Sequence, residues 1–159
     1  MNREDAELLI PQVEEQERRL RLSHFDHDDA WRLGLLLVEL ARAERAPVVV
    51  DIRRNGQQLF HYALPGSSAD NDAWVERKSR TADRYGCSSL LVGLRFAAKG
   101  QSFEQHSRLD PDRFAAHGGA FPLIVEGVGP IGTVTVSGLP QLDDHRLVVA
   151  ALERHLAEA

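Results

Sequence analysis

The chain is short of the features that mark most readily recognised activities. It has one cysteine, Cys87, in 159 residues, so no disulfide can form within it, and this usage fits a reducing compartment. No apolar run approaches the roughly 20 residues that span a bilayer. The opening MNREDAELL is acidic and polar where a secretory leader is basic and then apolar. These absences predict a soluble cytoplasmic protein with no membrane attachment. There is no basic surplus either. Lys and Arg number 19 against 24 Asp and Glu, a formal net charge of −5, which argues against a general nucleic-acid binder. Internal repeats and low-complexity linkers are missing, and the length predicts one domain over residues 1–159, large enough to bury a core.

Catalytic signatures are equally scarce. The seven histidines are His24, His27, His61, His106, His117, His145 and His155. No two of them stand at i, i+4 and there is no Cys/His cluster, so no metal centre is predicted. Ser137 sits in VSG without the G-x-S-x-G elbow and reads as a strand-end serine. GVGPIG leads from one strand into another, whereas a dinucleotide fingerprint needs a following helix N-terminus. Cys87, in YGCSSLLVG, reads as a buried structural thiol.

What is present is regular patterning. Residues 1–22 form an N-terminal helical segment in which Pro11 is expected to open the main helix. Asp26 is an N-cap followed by acidic Asp28 and Asp29. The helix it starts runs to about Arg45, and its broad apolar stripe of Trp31, Leu35, Leu36, Val38 and Leu40 predicts burial. Val48 begins a strand, and Asn55-Gly56 marks a tight hairpin. On the outgoing strand Leu59, His61 and Ala63 point one way, Phe60, Tyr62 and Leu64 the other. A helix from about Asn71 ends at Gly86, and Ser88-Ser89 caps another that ends at Gly100. A short helical turn is expected after Asp110-Pro111. Two further strands follow, joined by Gly127, Gly129 and Pro130. Pro140 opens a last helix whose inner face carries Leu147, Val148, Ala151, Leu152 and His155. Tight hairpins with packed helices predict an α+β layer fold on an antiparallel sheet. A fifth short strand is expected around Ser102–Ser107.

The segments AAHGGAFPLIVEGVGPIGTVTVSGLPQLDDHRLVVAAL and DNDAWVERKSRTADRYG carry a resemblance. With GG-x-x-P, IG-x-x-x-VSG and D-D-H in that order, the chain resembles the haem-degrading-domain family. It looks closest to the cytoplasmic branch grouped as an uncharacterised protein family. The resemblance covers roughly Leu33 to the C-terminus. It implies a five-stranded antiparallel sheet flanked by helices, and assembly into dimers or multiples of dimers. Some relatives bind haem, some accompany glycolate or propanediol metabolism, others have a corrinoid link, and members of the nearest branch are tied to tail-anchored-protein delivery in fungi. The resemblance therefore implies fold more firmly than any reaction.

Two places are candidates for a site. His117 abuts Gly118 and Gly119. These glycines either serve a tight turn or let another chain or a flat ligand approach closely. If haem binds, His117 is the axial ligand to test first; otherwise it orders the loop through a carbonyl. His145 reads as a helix-surface residue, and His24 and His27 as an exposed connector. On the helix after Asn71, Trp74 and Lys78 share one face with Asn71 at i, i+3, i+7, and Arg77 is adjacent. The pattern W-x-x-R-K occurs in the matching segment of the family. It suits either an anionic organic ligand held by stacking and charge or a subunit contact. The leading expectation is an oligomeric protein with a small-ligand pocket at Trp74, Arg77, Lys78, His117, Gly118 and Gly119, for haem or another anionic molecule. The rivals are a protein–protein adaptor without catalysis and an enzyme acting on a small organic acid.

Overall fold

The computed structural model describes residues 1–159. Six helices and four strands follow in the order α1 (Arg3–Arg19), α2 (His27–Ala43), β1 (Val49–Arg54), β2 (Gln57–Ala63), α3 (Ala69–Tyr85), α4 (Ser89–Ala98), α5 (Phe103–His106), β3 (Ala120–Val125), β4 (Gly129–Ser137) and α6 (Gln141–Glu158). The strands pair antiparallel in the order β2-β1-β4-β3. The Asn55-Gly56 hairpin forms as expected, both residues left-handed with φ of 50° and 82°, the conformation a two-residue turn needs to match strand twist.

The expected fifth strand is absent: the sheet has four. Residues 102–107 form the helical turn α5 instead. Ser102 Oγ accepts the Gln105 amide at 3.3 Å, and the Phe103 ring packs edge-on against Phe96, centroids 5.4 Å apart. The local cap and the aromatic contact outweigh strand propensity. On the outer side of β3 a single parallel bridge links Leu22 to Val125, after which the chain turns away to cap α2.

Alternation along the strands separates two faces, except that a bulge in β2 packs Leu59 against the main core beside Phe60 rather than on the opposite face expected from the sequence. Val48, Val50, Ile52, Phe121, Leu123, Val134 and Val136 join α2 and α6 in the main core. The opposite face carries Asp51, Thr133, Thr135 and Ser137 beneath α3, all buried. Asp51, fully enclosed, accepts from Arg53 Nε at 2.8 Å and Gln58 Nε2 at 2.6 Å, and lies 3.0 Å from His61 Nδ1. Arg53 also grips Glu76 of α3 through both terminal nitrogens, at 2.8 and 2.6 Å. A second core joins α1, α4 and α5 through Val13, Leu90, Leu91, Leu94 and Phe103. Cys87 belongs to it, and burial pushes its thiol pKa up to about 11, so it stays protonated at neutral pH.

Two further expectations need correction. Pro11 lies inside α1, not at its start; Asn2 is the N-cap and accepts the Asp5 amide at 2.8 Å. The helix tolerates a proline that cannot donate to the Glu7 carbonyl. Along α2 the Asp26–Asp29 capping box forms as the sequence suggests. Its buried stripe, however, is Ala30, Leu33, Gly34, Leu37 and Ala41, while Trp31 and Leu35 face outward, 58% and 46% exposed. Gly34 fixes that rotation, because a Cβ there would run into the Phe60 ring of β2. No helix is long and apolar enough to cross a membrane.

Candidate functional site

Helix α3, the end of β4 and the first turn of α6 meet at a cleft of about 190 Å³, lined by Asn71, Trp74, Lys78, His117, Ser137, Gly138, Leu139, Gln141 and Asp144. Its floor is an ion pair. Lys78 Nζ, almost fully buried, donates to Asp144 Oδ2 at 2.8 Å and to the Val136 carbonyl at 3.3 Å. Asp144 in turn accepts the amides of Gly138 at 3.3 Å and Leu139 at 2.9 Å. Burial pushes the Lys78 ammonium below the ordinary lysine range and the Asp144 carboxyl above its own, and each partner opposes the other's shift. The pair fastens α3 to the β4–α6 corner.

The two glycines are explained by this packing. Gly119 has φ of 139°, and a Cβ on it would meet the Val136 carbonyl and come within 2.8 Å of Lys78 Nζ. A Cβ on Gly118 would strike the Gln141 carbonyl at the start of α6, and the Gly118 amide donates to the Gln141 side chain at 3.0 Å. The close approach that the sequence suggests is therefore made by the chain's own backbone and by Lys78.

The mouth is aromatic and cationic. The rings of Trp74 and His117 lie 5.1 Å apart at 57°. The Arg77 guanidinium stands 4.3 Å from the Trp74 ring centre, within cation–π range, and its Nε donates to the Pro111 carbonyl at 3.1 Å. Arg77 takes part in no ion pair, unlike Lys78, Arg53 and Arg146. The side chain of His117 makes no hydrogen bond within the chain, so the loop-ordering contact is not formed. Partial burial, with Lys78 and Arg77 nearby, holds its pKa below the ordinary histidine range against the opposing influence of Glu104. Its ring is neutral at pH 7 and keeps a nitrogen lone pair. His117 and Gln141 also wall an adjoining, more apolar recess of about 210 Å³ formed with Met1, Leu90, Leu94 and Phe103.

Trp74, Lys78 and His117 thus line one cleft, with Arg77 stacked on Trp74 and the two glycines behind it. Sequence reasoning missed the partner of Lys78. Asp144 was visible only as helix N-terminal charge, and nothing local marks it as buried. His145 also departs from expectation. It is buried against Phe121, 5.7 Å between centroids, with Nε2 2.7 Å from Gln16 Oε1 and Nδ1 unpartnered. A larger cleft of about 280 Å³ holds His24, Asp29, Arg32 and His155. Its charges are mostly neutralised internally, since His24 and Arg32 both bind Asp29 and Glu158 pairs with Arg154. No three His, Cys, Asp or Glu side chains cluster as a metal site.

An antiparallel sheet clasped between α2/α6 and α3, with a small cation-rimmed aromatic cleft at the β4–α6 corner, defines a class of small α+β protein. Residues 25–153 match the family described as Haem degrading protein HbpS-like, and the chain belongs to that family. A UPF0303 protein of Streptomyces avermitilis is 68% identical over 147 residues, covering 92% of this chain and 90% of that protein. The crystal structure of the Ybr137w protein superposes with a TM-score of 0.86 at 34% identity, covering 94% and 88% of the two chains. A PduOC–haem complex, at 21% identity and a TM-score of 0.68 over 81% of this chain and 93% of that one, shares the fold.

Proposed function

We propose that this protein binds a small anionic organic molecule in the Trp74–His117 cleft. The observation that carries the reading is Arg77: an arginine without a carboxylate partner, its guanidinium 4.3 Å from the centre of the Trp74 indole that lines the cleft. A planar carboxylate entering there stacks on Trp74, pairs with the free Arg77 nitrogens and receives a hydrogen bond from neutral His117. Lys78 acts indirectly. Bound to Asp144, it sets the floor, and Gly118 and Gly119 leave room for it. The cleft volume lies below the 300–1,000 Å³ typical of sites that enclose drug-sized ligands, which favours a small acid or the edge of a larger one.

Haem is the second reading. It is favoured by the ring nitrogens of His117, neutral and free of hydrogen bonds within the chain, and by the haem held by PduOC. When bound, haem would bring an iron that accepts an imidazole, with His117 the residue to hold it and Arg77 placed for a propionate. One chain does not enclose a porphyrin at this cleft, so the macrocycle would need a second surface to cover it. Titration with benzoate by calorimetry and with haemin by absorbance tests the proposal. Arg77→Ala is expected to weaken both ligands at least about tenfold, as loss of a charge-assisted hydrogen bond does, and His117→Ala to abolish any haemin Soret shift. Binding of neither ligand to the parent protein overturns both readings. The family resemblance also supports a homo-oligomer, and we propose a dimer or a multiple of dimers.

A further inference from the structure

The two edges of the sheet are treated very differently. The β3 edge carries Pro122 and is partly covered: Leu22 donates to the Ile124 carbonyl at 2.8 Å and accepts the Glu126 amide at 2.9 Å. These are devices that protect a sheet edge from pairing with another chain. The β2 edge has neither a proline nor a covering segment, and its one irregularity is a bulge at Leu59. Its seven residues, QQLFHYA, include no proline, lysine, arginine or carboxylate, and nothing in the chain pairs with its outer side. Its one histidine, His61, lies between Asp51 and Asp72, 3.0 Å from each.

An apolar flank runs beside this bare edge. Trp31 and Leu35, one helical turn apart on α2, and Tyr62 on β2 are 58%, 46% and 38% exposed. The Trp31 ring packs edge-on against Phe60, centroids 5.8 Å apart, and Arg42 lies 5.6 Å from the Tyr62 ring. Tryptophan, tyrosine and arginine beside a strand with open hydrogen-bonding groups is the composition of an interface centre.

We infer that β2 is the docking edge for a second copy of this chain, joined antiparallel across a two-fold axis so that two four-stranded sheets become one. Charge selects this occupant. A two-fold sets the strand against itself, so any side chain with a fixed charge near the axis would face its own like charge. β2 carries none. The Trp31 and Leu35 flanks then close over the junction from one face.

The inference rests on the oligomeric reading above, and one set of measurements separates the two. Mass by light scattering is read for the parent chain, for Tyr62→Lys, for Trp31→Glu and for the control Val128→Lys in an exposed turn far from β2. All three substituted side chains are exposed, and circular dichroism melts establish that each variant stays folded. The parent and the control are expected at an even multiple of the chain mass, and Tyr62→Lys and Trp31→Glu at half of it or less. A parent of single-chain mass removes the oligomer and the docking edge together. A parent dimer that survives folded Tyr62→Lys and Trp31→Glu unchanged overturns the docking edge while leaving the oligomer standing.

Discussion

Lys78 lines the cleft with Trp74, but its charge is already met by a buried carboxylate. Its spacing from Trp74 put it on the right helix face, and the structure does bring it to the cleft. Its ammonium is nevertheless consumed by Asp144, 66 residues away, and by the Val136 carbonyl. Lys78→Met leaves a buried carboxylate with two backbone amides and no countercharge, so we expect urea denaturation to show a loss of about 3–5 kcal/mol. Lys78→Met combined with Asp144→Asn should cost less than the two single losses added together. His145 carries a second prediction. Burial holds its pKa at about 4, against 6.5 for the free side chain. Below pH 6.5 the unfolded chain therefore takes up a proton that the folded chain refuses, and stability falls as pH drops from 6.5 towards 4. The full shift corresponds to about 3 kcal/mol, so His145→Leu should shrink the stability difference between pH 7 and pH 4.5 by about 2–3 kcal/mol. The sequence read His145 as a surface residue and gave Lys78 no partner for one reason: burial was decided by segments far away, Asp144 for Lys78, Phe121 and Gln16 for His145.

Elements were more legible where their signals are local. The Asp26 cap, the Asn55-Gly56 hairpin, the Ser88 cap, the end of α3 at Gly86 and the inner face of α6 all follow from neighbours within four residues, and all form. The failures are those in which local preference met tertiary contact. Pro11 stays within α1 because the α1–α4 packing outlasts one missing hydrogen bond. Residues 102–107 become helical around Phe103. The apolar stripe of α2 is broad enough to allow several rotations, and the contact of Gly34 with Phe60 chooses among them, leaving Trp31 and Leu35 outside. That contact predicts an unusual substitution. Gly34→Ala should gain about 1 kcal/mol of helix propensity, yet its methyl has to displace the Phe60 ring, an overpacking cost of about 1–3 kcal/mol. Thermal and urea denaturation should therefore show Gly34→Ala no more stable than the parent, with Trp31 fluorescence altered because Phe60 touches that ring.

At the scale of the whole molecule, the family resemblance supplied the architecture in outline, correct in class and one strand too many. It placed the candidate side chains on segments that do converge. The sequence could not show which cation at the cleft is left free, because that depends on which carboxylates fold nearby. Lys78 finds one and Arg77 does not, and the account of ligand binding turns on that difference. The chain has two tryptophans, Trp31 at the β2 edge and Trp74 in the cleft, so Trp31→Phe leaves Trp74 as the sole indole reporter. The most direct measurement follows Trp74 fluorescence in that background during titration with a series of aromatic carboxylates from benzoate to haemin, with Arg77 intact and with Arg77→Ala. The account predicts a saturable change with at least one member of the series, shifted to at least about tenfold higher concentration by Arg77→Ala. No saturable change with any of them, or a change that Arg77→Ala leaves where it was, would contradict it.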